Sequence, residues 1–142
     1  MQRTRIKFCG ITRVEDAQAA AALGADAIGM VLHADTARRI EIEQAKKIMA
    51  ILPAFVTPVG LFADAPLQTI KDITAKLRLR HIQLYGDDSL ELTASLRDFC
   101  VIKAIHVARE TFGEQLKSLR DSISRLQLHN LKGLLLETAS GQ

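Results

Sequence analysis

The chain has 142 residues, of which 48% are hydrophobic and 25% charged, a net charge of +3, few aromatics and no Trp. That length fits one domain spanning residues 1–142, able to bury roughly 70% of its unfolded surface without staples. No apolar run reaches the roughly 18 residues of a membrane span, and the start does not read as a secretory leader. The only dense basic stretch, Lys76-Leu77-Arg78-Leu79-Arg80, has no aromatic platform beside it and reads as a solvated helix end rather than a nucleic-acid surface. Two cysteines, Cys9 and Cys100, make no disulfide framework, so a reducing cytoplasm is expected.

Short apolar runs alternate with helical ones. Residues 5–9 read as the first strand. Thr12 is a candidate N-cap for an Ala-rich helix over 14–23, with Glu15 in its first turn and Gly24 as its C′ residue. A second strand over 27–32 leads into His33 and a loop carrying Arg38-Arg39. The next helix, 41–52, places Ala45, Ile48 and Met49 on one face and ends at Pro53. Strand three is 57–62; Asp64 is a candidate cap and Pro66 a first-turn residue for a helix with Ile70, Ile73 and Leu77 on one face. Strand four, 81–85, stops at Gly86; a helix over 88–99 and strand five over 101–105 follow. The helix at 111–126 spaces Phe112, Leu116, Leu119, Ile123 and Leu126 by three and four, and strand six is 133–137. The pattern is that of repeated βα units, hence a parallel α/β sheet with right-handed crossovers. An open doubly wound sheet and a barrel both satisfy it. No Gly-rich phosphate loop follows a strand, which weakens the first.

Alternate strand residues face opposite sides. Lys7 and Cys9 oppose Ile6 and Phe8; Gln83 and Tyr85 oppose Ile82 and Leu84; Glu137 opposes Leu134 and Leu136. Assigning Lys103 to the polar set as well collects Lys7, Cys9, Gln83, Tyr85, Lys103 and Glu137 on one side. Such a set has little reason to lie under helices, but in a barrel it lines the interior and the C-terminal mouth where sites are built.

Cys9 ends a strand just before a helix N-terminus, with Lys7 on the same face. A nearby dipole and ammonium favour a thiolate; a small apolar packing residue is the other reading. Cys100, before strand five, reads as structural. Glu137 ends the last strand and is either the acid of an acid–base pair or an ordinary loop-facing carboxylate. Arg38 and Arg39 either hold an anion or are solvated. His33 and His106 lack metal-ligand spacing and read as solvent-facing or hydrogen-bonded. Tyr85 could bond a substrate or a neighbour.

Taken together, Lys7-Phe8-Cys9-Gly10-Ile11-Thr12, Gly24-Ala25-Asp26-Ala27-Ile28-Gly29, the Arg38 loop, Val59-Gly60-Leu61-Phe62, Gln83-Leu84-Tyr85-Gly86, Val101-Ile102-Lys103-Ala104 and Leu134-Leu135-Leu136-Glu137-Thr138 resemble the phosphoribosylanthranilate isomerases along essentially the whole chain. The resemblance implies a (βα)8 TIM-barrel family fold and an Amadori rearrangement of N-(5-phosphoribosyl)anthranilate in tryptophan biosynthesis, with no cofactor and no metal. It implies Cys9 as general base, Glu137 as general acid and Arg38 as the contact to the anthranilate moiety, with Lys7, Gln83 and Tyr85 as further substrate-side residues.

Three departures accompany the likeness. The family usually has Asp where Glu137 stands and His where Tyr85 stands. Its members also continue with a Gly-rich loop, two more strands and phosphate-binding turns beyond the position of Gln142. The resemblance therefore implies an incomplete barrel of about six strands and five helices, little or no turnover by the chain alone, and open edges that invite self-association. An inactive, self-associating barrel fragment and another phosphosugar barrel enzyme are the competing expectations.

Overall fold

A computed structural model describes residues 3–86, 90–107 and 111–138. Their elements alternate strictly: β1 Lys7–Cys9, α1 Val14–Ala22, β2 Ala27–His33, α2 Ile42–Ala50, β3 Thr57–Ala63, α3 Leu67–Leu77, β4 His81–Tyr85, α4 Leu90–Ala94, β5 Cys100–Val107, α5 Phe112–Leu126 and β6 Leu131–Thr138. All pairings are parallel and the strand order is β1-β2-β3-β4-β5-β6. A doubly wound sheet reverses direction at a switch point; this sheet never does. The choice left open by periodicity falls to the barrel type, here a six-stranded half-barrel.

The main core lies between sheet and helices. Ile28, Met30, Phe62, Ile82, Leu84 and Val101 meet Ala17, Ala45, Ile48 and Ile70, all at most 2% exposed. The expected faces of α2 and α3 are the ones buried, with Met49 and Ile73 packed against the core. A smaller cluster, Val31, Val59 and Leu61, fills the concave side. Gly24 follows α1 with φ +87°, a conformation glycine adopts at no steric cost.

Several local expectations give way. The N-cap of α1 is Arg13, not Thr12, and has no side-chain capping bond; the Thr12 carbonyl accepts instead from Gln44 Nε2 at 2.9 Å. The N-cap of α3 is Pro66. Asp64 adopts φ +49° and lays its carboxylate over Gly86, where no other residue's side chain would leave room. The helix expected over 88–99 is described only at Leu90–Ala94 and gives way to turns at 95–98; residues 87–89 lie outside the described part. Helix α5 has the expected apolar stripe, yet none of its residues is buried, and Phe112 and Leu116 remain 36% and 37% exposed.

Register also corrects the face assigned to Lys103. It pairs with Leu84, and Val101 pairs with Ile82, so Lys103 shares the helix-facing side. Its long stem is buried there and its Nζ donates to the Gly86 carbonyl at 2.9 Å, as a snorkelling lysine can. On β5 the inner face belongs to Ile102, Ala104 and His106, beside Gly133, Leu135 and Glu137 of β6.

Candidate active site

The sheet's C-terminal edge carries a cavity of about 410 Å³ lined by Cys9, His33, Arg38, Tyr85 and Glu137, with Val31 and Leu61 in its walls. Each polar residue arrives there for a traceable reason.

Cys9 is the last residue of β1 and is exposed. After it, Gly10 turns with φ +79°, and the amides of Gly10 and Ile11 both donate to the Gly29 carbonyl, at 2.9 and 3.0 Å. The chain is thus folded onto β2 immediately beyond the thiol. Gly10 has a second role, because a Cβ there would stand 2.9 Å from Arg38 Nη1 and 3.1 Å from its Cδ. The absence of a side chain at residue 10 is what lets the Arg38 side chain lie against the Cys9 turn. Gly29 makes similar room one strand over: a Cβ would come within 3.1 Å of Lys7 Nζ and 3.2 Å of Cys9 Sγ.

The loop after β2 returns to its own strand through a parallel bridge between Val31 and Arg39 and a bond from Ile40 N to Val31 O at 2.9 Å. This separates the two arginines. Arg38 lines the cavity, whereas Arg39 reaches Glu41 Oε1 at 3.3 Å in an exposed ion pair worth little by itself. His33 ends β2, is half-buried and also lines the cavity. The sheet register shifts between Val31 and His33, which pairs with Phe62, so alternation along strand two does not by itself place His33.

Tyr85 and Glu137 come together from β4 and β6: the Tyr85 hydroxyl donates to Glu137 Oε1 at 2.9 Å. Burial first, and then acceptance of its proton by Glu137, push the Tyr85 phenol well above the usual tyrosine range; the charge of nearby Cys9 adds to this. Lys7 and Gln83 lie on the same inner face without lining the cavity. Gln83 is fully buried, and its side chain, next to the Tyr85 phenol, opposes part of that upward push. His106 is the register partner of Glu137 and is exposed.

The arrangement sets a thiol and a carboxyl around one small chamber, with a guanidinium able to hold an anion. That is equipment for moving protons on an anionic substrate. Among the described residues no group of three His, Cys, Asp or Glu could hold a metal, and no helix is long and apolar enough to cross a membrane.

A family profile described as "PRAI: N-(5'phosphoribosyl)anthranilate (PRA) isomerase" matches residues 6–130. An N-(5'-phosphoribosyl)anthranilate isomerase of Geobacter metallireducens is 40% identical over 128 residues, covering 90% of this chain and 63% of the relative. One from Acidithiobacillus ferrooxidans is 39% identical over 141 residues, covering 99% of this chain and 64% of the relative. The chain thus spans a little under two thirds of the length of these curated relatives. Among solved structures, phosphoribosyl anthranilate isomerase from Thermotoga maritima superposes with a TM-score of 0.83 at 33% identity, over 99% of this chain and 64% of that one. A structure of the isomerase in complex with reduced 1-(o-carboxyphenylamino)-1-deoxyribulose 5-phosphate gives 0.82 at 33% identity, over 97% and 66%.

Proposed function

The chain belongs to the N-(5'-phosphoribosyl)anthranilate isomerase family, and from that premise we propose that it carries the acid–base centre for the Amadori rearrangement of N-(5-phosphoribosyl)anthranilate to 1-(2-carboxyphenylamino)-1-deoxyribulose 5-phosphate. The observation that carries this reading is the convergence of Cys9, Arg38 and Glu137 on one cavity from β1, the loop after β2, and β6.

Glu137 protonates the furanose ring oxygen while the substrate nitrogen's lone pair forms the iminium and the ring C–O bond breaks. The Cys9 thiolate takes the C2′ proton, and the electrons of that C–H bond neutralise the iminium as an enolamine. Return of a proton to C1′ from the Cys9 thiol, and loss of the 2′-hydroxyl proton to the Glu137 carboxylate, give the ketone and restore both groups. C2′ is oxidised and C1′ reduced within the same molecule, so the reaction draws on no external oxidant or reductant. Arg38 pairs with the anthranilate carboxylate.

In the chain extended to the full length of its relatives, Cys9→Ala and Glu137→Gln should each lower turnover by about 10²–10⁴-fold while leaving the binding of a reduced product analogue within a few-fold; Arg38→Ala should weaken that binding instead. Undiminished turnover in Cys9→Ala would sink the assignment.

A second reading concerns association. Ile6 and Phe8 on one sheet edge, and Leu134 and Leu136 on the other, are 41–48% exposed, and β1 and β6 each pair on one side only. We read these edges as a surface for a second copy of the chain, within a single βα domain. Light scattering that finds a monomer at all concentrations refutes it. Unpaired Cys9 and Cys100 suit a reducing cytoplasm.

A further inference from the structure

We propose that Tyr85 is a positioning residue for Glu137: its hydroxyl fixes one carboxyl oxygen, so that the other carries the proton delivered into the cavity. This rests on Glu137 being the acid, and it assigns Tyr85 a task other than contact with substrate.

The geometry has three parts. Tyr85 is the last residue of β4, beside Ala63 of β3, and Gly86 with φ +88° turns the backbone away directly after it. The intervening strand β5 presents the small residue Ala104 on the inner face. The ring therefore has room to reach two strands over, and the hydroxyl donates to Glu137 Oε1 at 2.9 Å. A neutral carboxyl that accepts on one oxygen holds its own proton on the other. Fixing Oε1 thus assigns the acidic proton to Oε2. After that proton leaves, the phenol bond becomes charge-assisted and stronger, which stabilises the carboxylate until the proton returns.

Tyr85 can serve as a fixed donor because it keeps its own proton: burial and Glu137 both oppose tyrosinate. The other groups facing this pair are Cys9 from β1, His33 and Arg38 from β2 and its loop, and His106 from β5.

The chain offers an unusually clean probe, since Tyr85 is its one tyrosine and there is no Trp. Tyrosinate absorbance in the near ultraviolet therefore reports this hydroxyl alone and needs no turnover. The wild-type chain, with folding followed in parallel by far-ultraviolet circular dichroism, should show no tyrosinate near pH 10, where a free tyrosine is about half ionised. Glu137→Gln, which keeps shape but removes charge, should move the titration down by about one unit or more. A wild-type titration centred near 10, or one indifferent to Glu137→Gln, overturns the pairing.

The kinetic arm uses Tyr85→Phe, which keeps the ring. In the chain extended to the full length of its relatives, we expect kcat to fall about tenfold with KM unchanged. A raised KM with unchanged kcat would make Tyr85 a substrate contact and overturn the proposal. Should Glu137→Gln leave turnover intact while the phenol titration moves as expected, the reading of Glu137 as acid fails and the positioning role falls with it, but the hydrogen bond stands.

Discussion

The central strands and the edge strands of this sheet live under different conditions. β2, β3 and β4 are paired on both sides and packed on both faces, so that Met30, Val59, Phe62, Ile82 and Leu84 are at most 2% exposed. Among the described residues, β1 and β6 each have one neighbour and keep Phe8 and Leu136 41% and 48% exposed. Cys9 and Glu137, the proposed base and acid, sit on these two edge strands. His33 and Tyr85 end the well-supported strands β2 and β4, and Arg38 lies on the exposed loop after β2. The separation of acid and base therefore depends on how firmly the two edges are held. The Tyr85–Glu137 bond is one tie from the middle to an edge.

The contrast can be broken most severely in the centre. Phe62→Ala empties a fully buried site and should cost about 3–5 kcal/mol, read by chemical denaturation. Gly10→Ala should cost about 1–2 kcal/mol for a left-handed alanine and also push Arg38 off the Cys9 turn, so analogue binding should weaken beyond what the stability loss explains. Asp26→Asn tests how β1 is held at the opposite end of the sheet. There the Ile6 amide donates to Asp26 Oδ2 at 2.8 Å, and Arg3 also pairs with that carboxylate. The amide bond first, and Arg3 second, hold the Asp26 carboxyl below its ordinary value of 3.8. A carboxyl depressed on folding stabilises the fold above its unfolded pKa, and the gain is lost as pH falls through the lower folded value. The melting temperatures of wild type and Asp26→Asn should therefore differ above about pH 4 and converge below it. Leu136→Ser, at an exposed edge, should change monomer stability by no more than about 0.5 kcal/mol, and light scattering should show weaker self-association.

Much of the fold was legible because its signals are local. Run lengths and turn residues located all six strands, and parity placed Cys9, Gln83, Tyr85 and Glu137 on one face before any coordinate. Parity failed at β5, where apolar residues occupy both faces and Lys103 looked like the odd one out. Only the register with Leu84 reveals that its stem is buried under the helices. Thr12 and Asp64 carried the right chemistry for caps but were taken up elsewhere, one through its carbonyl by Gln44 and the other over Gly86. The stripe on α5 was correctly spaced yet is only partly covered, since periodicity tells which face is apolar and not what meets it. The Tyr85–Glu137 bond spans 52 residues, and nothing local announces it.

The unbroken strand order has a consequence for how the chain acquires its structure. Each strand pairs only with those before and after it in sequence, so every closure spans a single βα unit. Loop-closure entropy stays small at each step. Assembly can advance strand by strand in either direction, and growth from a nucleus in the central strands captures β1 and β6 last. Amide exchange should then rank β2, β3 and β4 as the slowest strands and the two outermost as the fastest.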